Sequence, residues 1–280
     1  SLLPLRLLFV LTDIIYFIIY YVFGYRKNVV MQNLAIAFPE KEEAEREKIA
    51  KAFYRNFTDF FAETIKMFSA SATFINKHFQ GDYTIINQLN RQGKKCQVHL
   101  GHNFNWEMAY QSAVQHIEGT ILGVYMPLSN KNFEKIFRKL RTKRGGHLVP
   151  ANDMRNALMP FRHHAYTLLL VADQSPGKLS KAFWVRFFNK PTAFYSGPEN
   201  GARLANLPVV FCYLYKIKRG HYRFVAELAT EDPASMPKGE LTVMYIRYLE
   251  EKIRLQPENW LWSHRRWKHE WKEEYGEVLQ

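Results

Sequence analysis

The sequence predicts an α/β fold: a mostly parallel central sheet flanked by helices, preceded by an N-terminal membrane-associated helical segment. Three observations carry that reading. Short apolar runs at Cys96–Leu100, residues 119–125, His147–Pro150 and residues 166–172 read as buried strands and alternate with helical stretches. Strand–helix alternation of this kind threads a parallel sheet. The 280 residues are 47% hydrophobic, enough for a sizeable core. Residues 2–23 are nearly all apolar, about the length that crosses a bilayer. The expected division is a helical membrane segment over 1–38 and one large domain over 39–280.

Each element follows from its residues. Pro4, Arg6 and Asp13 interrupt the apolar run. A carboxylate in mid-span is costly in hydrocarbon, so the run is expected to lie in the interface or dip into one leaflet. The alternative is a buried helix of a soluble core. A signal peptide is excluded because no short apolar core leads to a small-residue cleavage site. Tyr25-Arg26-Lys27 suits anionic lipid on a cytoplasmic face. The chain opens at Ser1 without Met, so the anchor is expected to be longer. Residues 28–38 stay helical until Pro39. Residues 40–68 form a long amphipathic helix with Phe53, Phe57, Phe60 and Phe61 on its apolar side. Residues 83–86 fit a strand or a helix start equally.

After the turn over 91–95 and the strand Cys96–Leu100, residues 108–114 read as a helix. Residues 130–144 form a basic helix closed by Gly145-Gly146, and 154–161 a short one. Residues 183–188 read as a strand and 189–192 as a turn. Residues 196–206 read as a small-residue helix in which Glu199 offsets the dipole. The central strand over 207–215 pairs with 222–228 across a turn. Residues 242–255 form an amphipathic helix, and a basic, aromatic stretch from Pro257 to Lys268 follows.

The formal net charge is +13 and aromatics reach 15%. Such a surface wants an anionic partner, and basic plus aromatic suits a membrane interface or single-stranded nucleic acid. Cys96 and Cys212 each sit in an apolar run, give no zinc spacing, and read as buried thiols of a reducing compartment.

The chemistry concentrates in Gly101-His102-Asn103-Phe104-Asn105-Trp106-Glu107. His102 ends a strand, and Glu107 lies one helical turn into the next helix, so the two can face each other. A neutral imidazole can take a proton from a hydroxyl, while a carboxylate on its other nitrogen fixes the tautomer. By spacing alone, a core histidine and a solvated glutamate fit as well. Asp173-Gln174 also follows a strand, and parallel sheets hold their sites at strand carboxyl ends. That places it in one crevice with His102, unless Asp173 caps the next turn. Arg138 and Arg141 share a helix face that can grip phosphate or stand as an exposed basic face. No serine or cysteine lies in a nucleophile-elbow context, so no covalent intermediate on the protein is expected.

Taken together and in order, these stretches resemble the bacterial lipid A late (lauroyl/myristoyl) acyltransferases of the glycerolipid acyltransferase superfamily. The matching pieces are the apolar N-terminus with Asn33-Leu34 and Phe38-Pro39-Glu40, then His102-x4-Glu107 enclosing Asn105-Trp106. Arg138-x2-Arg141-x2-Arg144-Gly145, Ala172-Asp173-Gln174, Phe187-Phe188 and Pro257-Glu258 follow, with Trp262-x-His264-Arg265-Arg266-Trp267 at the end. Many relatives carry Asp in place of Glu107. The resemblance implies transfer of an acyl group from an acyl-carrier-protein or coenzyme A thioester to a hydroxyl of a lipid A precursor. It implies catalysis by His102 with Glu107 as its orienting carboxylate. It further implies substrate contacts from Asn105, Arg138, Arg141, Arg144, Asp173 and Gln174, no metal or redox cofactor, and a place on the cytoplasmic face of the inner membrane. The expected partners are a membrane lipid, acyl carrier protein and an anionic membrane surface, with no nucleic acid. The rival readings are an acyltransferase for an aminolipid or lysophospholipid, and a non-catalytic basic protein that binds membrane or nucleic acid.

Overall fold

The computed structural model describes residues 3–280; Ser1 and Leu2, where the apolar run begins, lie outside the described residues. In chain order the elements are α1 (Leu5–Phe17), extended by a π-helical turn over Ile18–Val22, α2 (Lys27–Ala37), α3 (Glu43–Met67), α4 (Ala72–His78), β1 (Phe79–Gly81), α5 (Thr84–Arg91) and β2 (Cys96–Leu100). Next come α6 (Trp106–His116), β3 (Thr120–Tyr125), α7 (Lys131–Thr142), β4 (His147–Pro150), α8 (Met154–Leu158), β5 (Tyr166–Val171), β6 (Ala182–Phe187) and β7 (Lys190–Tyr195). The chain closes with α9 (Gly197–Ala205), β8 (Val209–Lys218), β9 (His221–Thr230), α10 (Glu240–Leu255) and β10 (Val278–Leu279).

The main sheet has seven strands in the order β1-β9-β8-β2-β5-β3-β4. The run β8-β2-β5-β3-β4 is parallel throughout, and β9 is antiparallel to β8. This is the mostly parallel α/β sheet that the alternating runs predicted. β2 lies in its middle, and all five of its residues are buried, because helices cover both faces of a parallel sheet. Its two polar residues point to one face and meet each other, Gln97 and His99 at 2.9 Å. Burial pushes the His99 imidazole down to about 3. His99 is a neutral core histidine.

A second sheet, β10-β6-β7, was not legible. Residues 189–192 are not a turn alone: Lys190 already pairs with Phe187 across a two-residue hairpin. Phe188 and Asn189 make that turn at φ of 50° and 60°, the left-handed pair that a tight hairpin needs. Pro191 is tolerated because β7 is an edge strand. The ambiguous stretch 83–86 resolves as the start of α5.

Leu5–Val22 is long and apolar enough to cross a membrane, with a mean hydropathy of 1.9. It runs along α3 by one stripe only, burying Leu8, Thr12, Tyr16 and Tyr20 and exposing Leu7, Val10, Leu11, Ile14 and Ile15. Asp13 is not left bare. Arg219, in the turn between β8 and β9, donates to both Asp13 oxygens at 2.7 and 3.0 Å. The same guanidinium reaches the buried Asp59 of α3 at 2.7 and 2.9 Å, and the Thr12 hydroxyl donates to Asp59 at 2.7 Å.

Candidate active site

β2 and β5 are parallel neighbours with Leu100 in register with Val171. The residues that leave their carboxyl ends therefore emerge side by side, one strand delivering Gly101-His102 and the other Ala172-Asp173-Gln174. The Asp173 carboxylate gathers three donors. Its Oδ2 accepts from the His102 backbone N–H at 2.8 Å and from the Trp260 indole at 2.7 Å. Its Oδ1 accepts from His102 Nδ1 at 2.5 Å. With Nδ1 protonated toward the carboxylate, Nε2 carries the ring's lone pair, and the Gln174 amide donates to it at 3.1 Å.

Exposure separates the two partners: the His102 side chain keeps 19% and Asp173 only 1%. The ring can be reached and the carboxylate cannot. Burial alone would raise the Asp173 carboxyl. The His102 charge and the hydrogen bonds from His102 and Trp260 outweigh burial and hold it at about 2, so it is an anion at neutral pH. Trp106 stands edge-on to His102 with ring centres 5.3 Å apart, and leans on Phe60 at 4.2 Å. These rings form an apolar wall beside the imidazole.

The expected partnership of Glu107 with His102 is corrected. Glu107 is buried and held by Arg141 of α7, whose Nε donates to Oε2 at 3.0 Å and whose Nη2 donates to Oε1. A bidentate fork of this kind consumes both oxygens, while the adjacent strand end fills the Nδ1 side of His102. Burial would lower the Arg141 guanidinium, and Glu107 instead raises it above its ordinary value. The pair ties α7 to α6.

Asn105 does not face a substrate either. It is fully buried, and as N-cap of α6 its Oδ1 accepts from the Met108 N–H at 3.0 Å. Its Nδ2 donates to Glu63 Oε2 at 2.8 Å, and Tyr222 donates to the same oxygen at 2.7 Å. Burial pushes the Glu63 carboxyl up to about 7 against the pull of Asn105, Lys216 and Tyr222. Arg144 turns inward, donating to the Ala70 carbonyl at 2.6 Å. Of the three arginines only Arg138 stands open, donating to the Tyr125 hydroxyl at 2.9 Å.

Spacing gave no hint of Trp260, whose indole helps fix Asp173, or of His264, which accepts from the Ser175 N–H at 3.2 Å. Burial lowers the His264 imidazole to about 4. Only the aromatic C-terminal motif could have signalled them. Among the described residues no cluster of His, Cys, Asp and Glu could hold a metal ion. A cleft of about 520 Å³ lined by Asn76, Tyr83, Asn87 and His116 opens at the amino end of the parallel strands, away from His102. The reachable imidazole and its anion lie instead at the strand carboxyl ends.

Residues 2–269 match the family model described as bacterial lipid A biosynthesis acyltransferase. No curated protein matches the chain.

Proposed function

The chain belongs to the bacterial lipid A biosynthesis acyltransferases, and from that premise we propose a membrane-associated O-acyltransferase in which His102 is the general base and Asp173 its orienting anion. The acyl donor is a thioester on acyl carrier protein or coenzyme A, and the acceptor is a hydroxyl of a lipid A precursor. The observation that carries the reading is the 2.5 Å contact of His102 Nδ1 with Asp173 Oδ1 on an imidazole that stays partly exposed.

The acceptor hydroxyl takes the place of the Gln174 amide at His102 Nε2 and gives its proton there, and its oxygen attacks the thioester carbonyl. The resulting imidazolium is stabilised by the buried anion at Nδ1. The tetrahedral adduct collapses, the carbon–sulfur bond breaks, and the Nε2 proton passes to the leaving thiolate. This sequence uses no metal or redox cofactor. A direct attack is supported by the thiols: burial pushes Cys96 up to about 11 and raises Cys212 as well, so neither is a ready nucleophile. Ser175 is occupied too, its hydroxyl donating to the Arg266 carbonyl at 2.8 Å. Glu107 and Arg141 position α6 and α7, and Arg138 is the open cation for a phosphate. The exposed face of α1 and the basic Tyr25-Arg26-Lys27 support attachment to the cytoplasmic face of the inner membrane.

The test is the chain purified in detergent with labelled acyl-carrier-protein thioester and a phosphorylated lipid A precursor, beside His102→Ala. Acylated lipid that requires both acceptor and His102 is the expected result. Equal product from His102→Ala would overturn the mechanism. Thioester loss without acylated lipid A would move the acceptor to another membrane lipid.

A further inference from the structure

We propose that α7 is a second membrane-contact element, an amphipathic helix lying in the interface of an anionic bilayer beside the mouth of the His102 site. The inference rests on the membrane-bound reading above for its lipid, and on the following geometry for its place.

The N-terminal half of α7 and the loop before it leave large apolar side chains uncovered: Phe133 at 57%, Ile136 at 46%, Met126 at 59% and Leu128 at 42%. Further along the same helix Leu140 is buried in the ordinary way. Lys131, Lys135 and Lys139 follow one another at single-turn spacing on a different face. Residues 126–164 carry nine Lys and Arg against two acids, Glu134 and Asp153. A lysine-rich stripe beside an aromatic and aliphatic one, with low overall hydrophobicity, marks a helix that lies in a membrane interface. The lysine stems can reach past the apolar stripe to headgroup phosphates. An acidic protein partner would explain the lysines and leave Phe133 and Ile136 unexplained.

Topology puts this face where it matters. β3 runs parallel to β5, as β2 does, so α7 leaves the edge of the sheet at which His102 emerges. The helix is also fixed to the site: Arg141 grips Glu107, and the Gln111 amide donates to the Leu140 carbonyl at 2.9 Å. Its C-terminal end joins α3, where Lys143 donates to the Phe68 carbonyl at 2.7 Å. There α3 exposes Phe61 at 50% and Phe68 at 36%, and Lys66 donates to the Leu3 carbonyl beside α1 at 2.9 Å. Exposed apolar side chains thus occur on α1, towards the end of α3 and on α7, and these contacts tie the three helices together.

The test uses single-cysteine variants Phe133→Cys and Ile136→Cys carrying an environment-sensitive fluorophore; the native Cys96 and Cys212 are buried. The full chain is reconstituted into vesicles with about one third anionic lipid, some of it bearing a shallow acyl-chain quencher. Val10→Cys on α1 is the positive control, and Leu204→Cys on α9, 91% exposed, is the negative one. Quenching at positions 133 and 136 comparable to position 10, and none at 204, is expected. Quenching at 10 without quenching at 133 or 136 would overturn the proposal. So would protection of those labels from a water-soluble quencher by acyl carrier protein alone, which would give the face to a protein partner. The readout needs no turnover, so it stands or falls separately from the acyl-transfer chemistry.

Discussion

Asp173→Asn is the sharpest perturbation of the site, because an amide keeps the shape of the carboxylate and changes only its charge and its donors. Asp173 Oδ2 accepts two hydrogen bonds and Oδ1 accepts a third. An asparagine has one acceptor oxygen. With that oxygen under the His102 N–H and Trp260, its NH2 meets His102 Nδ1, which must then be the acceptor. The proton moves to Nε2, and the ring can no longer take one from a hydroxyl. With the amide reversed, NH2 faces two donors. Loss of a positioned base costs about 10²–10⁴-fold, so kcat should fall roughly a thousandfold, about 4 kcal/mol of barrier. Stability changes as well. The carboxyl moves from 3.8 to about 2 in the buried site, a net preference for the anion of about 2 kcal/mol. That contribution is present above pH 3.8 and is lost as pH falls through 2. The unfolding free energies of parent and variant should therefore converge only in strong acid. The assays are release of thiol from the donor, labelled acyl-lipid product, and denaturant melts from pH 2 to 8. A folded Asp173→Asn enzyme within tenfold of the parent would refute the argument.

Three further outcomes follow from the same contacts. Glu107→Gln should destabilise by about 3 kcal/mol by leaving Arg141 short of its anion, yet the pH profile of the surviving activity should match the parent, because His102 keeps Asp173. Glu63→Gln should flatten a pH slope: the parent carboxyl is raised from 4.5 to about 7, so its burial is uncosted below 4.5 and costs about 3 kcal/mol above 7. The melting temperature of the variant should gain on the parent as pH rises from 5 to 8, and a constant difference would sink that account. Arg219→Ala should lower stability by about 3 kcal/mol by leaving the buried Asp59 with Lys216, 3.6 Å away, as its remaining cation beside the Thr12 hydroxyl. It should also free α1 from α3, seen as new protease cleavage near Asp13 in detergent.

The sequence was legible where one local rule decided the outcome. Apolar runs bounded by turns gave the parallel strands, and strand ends gave the crevice, so His102, Asp173 and Gln174 came together as expected. It was illegible where two rules competed for one side chain. Helical spacing let Glu107 face His102, but Arg141, thirty-four residues further on, captured it. Asn105 sits inside the motif and serves the helix cap and Glu63 instead. Asp13 reads as a defect in an apolar helix until Arg219 arrives from a distant turn. These choices depend on sheet order and helix docking, which periodicity does not encode.

Because the site is made by two adjacent strand ends, its tightest constraint should be the residue at their junction, Gly101. A Cβ there would lie 2.8 Å from Leu249 Cδ1, 2.9 Å from Asn103 Oδ1 and 3.1 Å from Asp173 Oδ2. The leucine methyl can swing aside at small cost. Asp173 cannot, since two donors pin that oxygen and the third holds its twin. A methyl group at 101 therefore pushes on the anion and opens its contact with Nδ1. Gly101→Ala should lose at least tenfold in kcat while its melting temperature falls by only a few degrees, with KM for the donor little changed. Gly177→Ala, where a Cβ meets nothing within 4 Å, should leave both measurements at parental values. Equal, mild effects at both positions would mean that the spacing between Asp173 and His102 does not set the rate.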